Sequence, residues 1–144
     1  MSDFELPGLA NVHSHIFQRA LRGSVQRREP GREDSFWTWR ETMYELAGRL
    51  SASDLERIAR NAYAECLEAG YTAIGEFHYL HRLSGAADPE DVLASSRVLL
   101  RAAAQTGIRI TLLWTVYHQG GFDRPLEARQ RPFRTEDLDA VSRV

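Results

Sequence analysis

Short apolar runs of strand length alternate along this chain with longer segments whose apolar residues recur every three or four positions, and glycines stand where the helical segments should stop. That alternation is the strongest constraint on the fold, because strands separated by helices point to βαβ units and a parallel sheet. Residues 6–12, opened by Pro7 and Gly8, form the first expected strand, which ends as His13, Ser14 and His15 begin. A polar, arginine-rich loop covers residues 22–33, and a helix capped by Asp34 or Ser35 follows, with Phe36, Trp39, Met43, Leu46 and Leu50 as its apolar stripe. Ser53 and Glu56 have the spacing of a capping box for a second helix, whose buried face is expected to carry Leu55, Ile58, Ala59, Ala62, Cys66 and Ala69 before Gly70 stops it.

Residues 71–77 make a second expected strand, followed by a polar loop over residues 78–88 and a helix that begins near Pro89. Val92, Ser96, Leu99 and Ala103 mark the buried side of that helix, and Gly107 ends it. Residues 108–117 form a third, nearly continuous apolar strand of the kind buried on both faces in a parallel sheet. Beyond Gly120 the chain turns polar, and residues 135–144 look like the start of a further helix. Three βα units in 144 residues are too few for a (β/α)8 barrel of about 250 residues, so the expected architecture is α/β, the opening part of such a barrel, with residues 1–144 as one apparently truncated unit. A small open three-layer sheet is the alternative, but no G-x-G-x-x-G turn supports a dinucleotide site on it.

Composition narrows the chemistry. The formal net charge is -2, with both signs mixed along the chain, so there is no basic stripe for nucleic acid or an anionic membrane. No apolar run approaches membrane-spanning length and no leader pattern opens the chain, which makes the cytoplasm the default compartment. Cys66 is the single cysteine, which leaves no internal disulfide and no Cys-x-x-Cys site. All 18 residues counted as Lys+Arg are arginine. A P-loop lysine, a lysine Schiff base and a lysine general base are therefore absent from this chain.

His13 and His15 are separated by one residue at the end of the first strand, so period-two alternation directs both side chains to one face. Two neutral imidazoles so placed can share a metal ion, at roughly 2.0–2.1 Å for zinc. By itself the His-x-His spacing is a weak signal; barrel enzymes carry their active sites at this end of their strands, which strengthens it, and two solvated loop histidines remain the alternative. His78, His81 and His118 also fall just past strand ends, where roles around a site or in loops suit them better than direct ligation. Cys66, on an apolar helix face, reads as a buried, inert thiol.

The run from Leu6 to His15 resembles the strand-one signature of the amidohydrolase superfamily, and Ile16, Phe17, Gln18, Arg19 and Ala20 narrow the likeness. With the tryptophan-rich block from Asp34 to Tyr44, the segment from Ala69 to His81 and the run from Gly107 to Leu113, nearly the whole chain is similar to the formimidoylglutamate deiminase family of histidine degradation. The resemblance implies a zinc-bound (β/α)8 barrel that hydrolyses N-formimidoyl-L-glutamate, a small-molecule substrate, to N-formyl-L-glutamate and ammonia. It makes His13 and His15 the first two metal ligands and puts Gln18, Arg40 and Tyr79 in contact with substrate. An arginine fork suits a glutamate carboxylate, and amide and phenol groups suit its remaining polar atoms. Read without the resemblance, Gln18 is a polar loop residue, Tyr79 a surface aromatic, and Arg40 a partner for Glu41 or Glu45. The run from Tyr117 to Phe122 departs from the glycine-rich loop pattern of the family.

In the implied reaction a metal lowers the pKa of a bound water, hydroxide attacks the formimidoyl carbon, and an acid/base side chain protonates the departing ammonia. Catalytic zinc takes three protein ligands plus water, so two histidines make an incomplete set and the acid/base is expected on strands beyond this chain. Two other readings stay open: an amidohydrolase of the guanine or cytosine deaminase type, which needs no carboxylate-binding Arg40, and a non-catalytic partial barrel that acts only in assembly. A homo-oligomer is compatible with any of the three.

Overall fold

The computed structural model describes residues 6–25 and 35–135. In chain order it contains strand β1 (Leu9–Ser14), a 3₁₀ segment (Ile16–Leu21), helices α1 (Phe36–Arg49) and α2 (Ala52–Glu68), strand β2 (Tyr71–His78), helix α3 (Ala94–Thr106), strand β3 (Arg109–Trp114) and a second 3₁₀ segment (Ala128–Phe133). The three strands are parallel in the order β1-β2-β3. Among the described residues β1 and β3 are edges, so the sheet is open and has the layout of part of a (β/α)8 barrel.

Local chemistry explains where the helices begin. Ser35 caps α1, accepting from the Thr38 N–H, while the Thr38 hydroxyl accepts from the Ser35 N–H. Helix α2 starts two residues before the Ser53 and Glu56 spacing suggests, because Ser51 and Asp54 complete the reciprocal box at 3.2 and 3.3 Å. Both serines satisfy the pattern; Ser51 has the extended backbone that lets its side chain face the first turn. Helix α3 begins at Ala94, not near Pro89, without a side-chain cap. Its C-terminal end is sharp because Gly107 takes a φ of 82°, a left-handed conformation that costs glycine little.

Helix α2 packs on α3, and both cover one face of the sheet. Leu55, Ala59, Ala62 and Tyr63 meet Val98, Leu99, Ala102 and Ala103 over Ile74 and Ile108. The buried face of α2 includes Tyr63 but not Ala69, which is exposed, and Cys66 is half-buried instead of buried. A second part of the core lies at the C-terminal end of the strands, where α1 packs on the two 3₁₀ segments and buries Met43, Tyr44 and Ala47 with Phe17, Leu21 and Phe133. The expected stripe of α1 holds at Met43 but not at its start, since Phe36 is 61% exposed.

Along β2, Ile74, Glu76 and His78 are buried, while Ala73, Gly75 and Phe77 are only partly covered on the other face. β3 is half-buried at Ile110, Leu112 and Trp114 and exposed at Arg109, Thr111 and Leu113, so it is not covered on both faces among the described residues. The expected helix over residues 135–144 lies, from residue 136, outside the described residues, as do residues 26–33 of the expected loop and the alternative cap Asp34.

Gly75 permits the close approach of β2 to β1. A Cβ there would stand 2.7 Å from the backbone oxygen of Val12, and backbone cannot swing aside as a flexible side chain can. Gly75→Ala is expected to destabilise the fold by about 1–3 kcal/mol, read as a lower urea midpoint at unchanged slope. A wild-type midpoint would show that β1 shifts at no cost.

Candidate metal and substrate site

The carboxyl end of the sheet gathers the polar residues of interest. β1 extends through His13 to Ser14, further than the sequence suggests, and His15 stands at its end as the residue before the first 3₁₀ segment. The two imidazoles share a face and stand edge to face, their Nε2 atoms 3.1 Å apart. Phe77 of β2 lies against both rings at 5.4 Å.

His15 Nδ1 lies 2.9 Å from the backbone oxygen of Phe77, which can only accept, so Nδ1 carries the proton and the neutral ring keeps its lone pair on Nε2. Burial of the ring, helped by His13, holds the His15 pKa below its ordinary value against the pull of the Phe77 oxygen. The available lone pair therefore points at His13. Two nitrogens 3.1 Å apart lie well within twice a zinc–nitrogen bond of roughly 2.0–2.1 Å, so one ion can bond to both, and the Phe77 contact is the outer hydrogen bond that metal-binding histidines usually make. Among the described residues no group of three or more His, Cys, Asp or Glu side chains is placed to hold a metal.

Gln18 and Tyr79 meet beside this pair. The Gln18 amide donates to the Tyr79 hydroxyl at 2.5 Å, and that hydroxyl faces Met43 Sδ at 3.3 Å. The Tyr79 ring packs edge-on to His15 at 5.2 Å and to Phe17 at 5.3 Å, so it is no surface aromatic. Burial pushes its phenol up to about 12, which keeps it neutral and able to donate.

Arg40 is one step further out. Its guanidinium lies 4.5 Å over the Trp37 ring and 5.5 Å over Tyr44, with Nε buried and without a hydrogen-bond partner among the described residues. It pairs with neither Glu41 nor Glu45: Glu41 pairs with Arg129 instead. The charge of Arg40 reaches the Tyr117 phenol, whose ring stacks on Tyr79 at 6.4 Å. Gln18, Arg40 and Tyr79 thus belong to one aromatic-lined cluster that also contains His15.

Several members of that cluster carry no signal in the sequence. Gln130, from the second 3₁₀ segment, donates to the hydroxyls of Tyr44 at 3.0 Å and Tyr117 at 3.1 Å. Long-range packing alone unites these three, across 86 residues in the Gln130 and Tyr44 case.

His78 closes β2 and His81 lies in the loop that follows it, and both are buried and hydrogen-bonded. His78 Nε2 is 2.9 Å from Ser95 Oγ on α3, and His81 Nε2 donates to the Thr115 backbone oxygen at 2.8 Å. Both are almost fully buried, as are Leu80, Arg82 and Leu83 of the expected polar loop. His118 is exposed, with Nδ1 3.3 Å from the Thr135 backbone oxygen. The Cys66 thiol is pushed up by partial burial, which disfavours the reactive thiolate.

Burial sets a pH dependence of stability with two limbs. It lowers His78 to about 3 and His81 to about 4, against an ordinary 6.5, so below pH 6.5 the unfolded chain takes up protons that the folded chain refuses. It raises Glu76 to about 8 from 4.5, so between those values the unfolded chain is ionised while the folded chain holds its proton. The histidine contribution is therefore lost as pH falls from 6.5, and Glu76 costs stability as pH rises toward 8. Metal-free protein should show a urea midpoint that declines on both sides of about pH 6.5, with the alkaline decline removed by Glu76→Gln. A Glu76→Gln profile parallel to wild type above pH 6.5 would assign that limb to another group.

Residues 4–142 match the amidohydrolase family, and this chain belongs to that family. Its resemblance to one member is specific: it is 47% identical over 133 residues to formimidoylglutamate deiminase of Pseudomonas aeruginosa, covering 89% of this chain and 28% of that protein. A shorter match, 35% identical over 75 residues, joins 52% of this chain to 16% of the 8-oxoguanine deaminase of the same organism. Among solved structures, an amidohydrolase from Brucella melitensis superposes with a TM-score of 0.84 at 37% identity, over 95% of this chain and 30% of that one. Atrazine chlorohydrolase from Arthrobacter aurescens TC1, solved with zinc, shares the fold at a TM-score of 0.70 and 21% identity, over 96% of this chain and 29% of its own. The chain thus spans less than a third of the length of each of these relatives. Among the described residues no helix is long and apolar enough to cross a membrane.

Proposed function

We propose that this chain supplies the first two metal ligands and part of the substrate pocket of a deiminase that hydrolyses N-formimidoyl-L-glutamate to N-formyl-L-glutamate and ammonia. The observation that carries the reading is the convergence of His13 and His15 Nε2 at 3.1 Å beside the Gln18 and Tyr79 pair. The 47% identity to a formimidoylglutamate deiminase supports the choice of substrate. In this reading residues 1–144 are the N-terminal part of the barrel, and the enzyme takes a small molecule in the cytoplasm, with no nucleic acid or membrane partner.

His13 and His15 hold a divalent metal, taken to be zinc, and His15 is kept in the correct tautomer by the Phe77 oxygen. Such an ion, when bound, supplies a water acidified enough to attack an amidine carbon near neutral pH. Arg40 binds a substrate carboxylate: its Nε is buried without a partner among the described residues and its guanidinium lies over Trp37, which leaves the fork available to an anion. Gln18 and the neutral Tyr79 phenol, already bonded to each other, present an amide and a hydroxyl for the remaining polar atoms of the substrate. In the net reaction the carbon–nitrogen double bond of the amidine becomes a carbonyl, water supplies the oxygen, and its two protons leave with the nitrogen as ammonia. The group that moves those protons lies outside the residues assigned here.

The partial match to 8-oxoguanine deaminase favours one other reading, an aminohydrolase of heterocyclic amines. A turnover panel on the full-length polypeptide separates the two. Ammonia release from N-formimidoyl-L-glutamate and not from aminopurines or aminopyrimidines is expected; the reverse would overturn the proposed substrate. Full-length polypeptide that binds zinc stoichiometrically yet releases ammonia from none of them would favour a role in assembly alone.

A further inference from the structure

Glu76 is a carboxyl group in the wrong place for a sheet core. It stands on the helix-covered face of β2, 1% exposed, between Ile74 and His78, where an aliphatic residue would pack without cost. Its Oε1 accepts the Ile16 N–H at 2.9 Å, and Oε2 makes no hydrogen bond of good geometry among the described residues. Ser14 is its partner in the strand register, with its hydroxyl near enough to the carboxyl to offset part of the effect of burial on it. The two residues it addresses flank His15. The next residue, Phe77, takes His15 Nδ1–H on its backbone oxygen at 2.9 Å and lays its ring against both imidazoles.

Two consecutive residues of β2 therefore grip the end of β1 from different directions. The pairing of β1 with β2 is irregular between Asn11 and Ser14, so the backbone ladder alone does not set the direction in which the chain leaves the sheet at His15. The Ile16 N–H, at the start of the 3₁₀ segment, has no carbonyl to bond within that segment, and the Glu76 side chain supplies the acceptor.

We propose that Glu76 is a positioning residue for the metal site: it fixes the turn at residues 14–16 and through it the convergence of His13 and His15. The proposal rests on the metal reading given above. Glu76 touches neither imidazole and is not a ligand; it acts through the backbone on either side of His15. Its reach, rather than its charge, is what the role requires. Glutamine keeps an oxygen at the same distance, whereas aspartate is one methylene short of the Ile16 N–H.

The test compares wild type, Glu76→Gln and Glu76→Asp in the full-length polypeptide, by competition of zinc against a chromophoric chelator and by the visible spectrum of the cobalt-substituted protein. Expected are zinc affinity within about threefold of wild type and an unchanged cobalt spectrum for Glu76→Gln, and at least about tenfold weaker binding with an altered spectrum for Glu76→Asp, the range seen when outer contacts of metal ligands are removed. Glu76→Asp with wild-type affinity and spectrum, whatever its thermal stability, overturns the proposal. A loss in Glu76→Gln as large as in Glu76→Asp also overturns it, since charge and not reach would then be responsible. Wild-type protein that binds no zinc overturns the metal reading and the positioning role with it, whereas wild-type binding beside an unaffected Glu76→Asp sinks the positioning role alone.

Discussion

His15→Ala in the full-length polypeptide is expected to lower zinc affinity by at least about a hundredfold and to take ammonia release with it, because a ligand is worth more than the outer contacts whose loss costs about 10- to 100-fold. The substitution removes a nitrogen 3.1 Å from His13 Nε2 and leaves the Phe77 backbone oxygen without its donor. His15 is only half-buried, so the fold should survive, and an unchanged far-UV spectrum separates metal loss from unfolding. Metal titration by calorimetry and a turnover assay with excess zinc are the two readings. His13→Ala should behave alike; it removes the ring stacked on Phe77 but leaves the Phe77 backbone oxygen its His15 donor. Full zinc occupancy and wild-type turnover in both variants would remove the pair from the metal site.

Arg40→Met should separate substrate recognition from chemistry. The side chain is long enough to keep the contact with Trp37 but carries no charge, so an anionic substrate loses its partner while the histidine pair is untouched. Truncating one member of a desolvated charge pair costs about 2–5 kcal/mol, which corresponds to roughly a 30-fold or greater fall in kcat/KM for N-formimidoyl-L-glutamate. An N-alkylformamidine, which lacks the carboxylates of the glutamate moiety, should be hydrolysed as well by the variant as by wild type. Equal losses on both substrates would assign Arg40 a structural role, and no loss on either would favour the heterocyclic-amine reading.

Much of this layout is legible in the chain itself. The alternation of strand-length runs with helical stripes yields β1, β2, β3 and the three helices in their order, since each depends on spacing within a few turns of chain. His13 and His15 are recognisable for the same reason: residues two apart on a strand share a face whatever surrounds them. Boundaries shift where two local patterns compete, as at Ser51 and Ser53, both serines with an acidic residue three positions on. At α1 the sequence offers Asp34 or Ser35, and Ser35 is the cap because the helix begins at Phe36.

Other features depend on contacts that no local pattern encodes. Residues 78–83 read as a polar loop because they contain two histidines and an arginine, yet all but the half-buried Tyr79 are buried, because Ser95, Thr115 and Pro132 arrive with hydrogen bonds for His78, the His81 ring and the His81 and Arg82 backbone. Glu76 reads as one acidic residue in a strand, and its link to Ile16 appears only when residues 60 apart are brought together. The chain by itself determined the strand–helix order and the shared face of its two histidines, since both follow from backbone periodicity. Tertiary structure alone decided that His15 presents its Nε2 lone pair to His13, that Gln18 bonds Tyr79 and that Arg40 rests on Trp37 and not on Glu41 or Glu45. Those outcomes depend on which donors and acceptors burial leaves within reach, and that is a property of the packed chain.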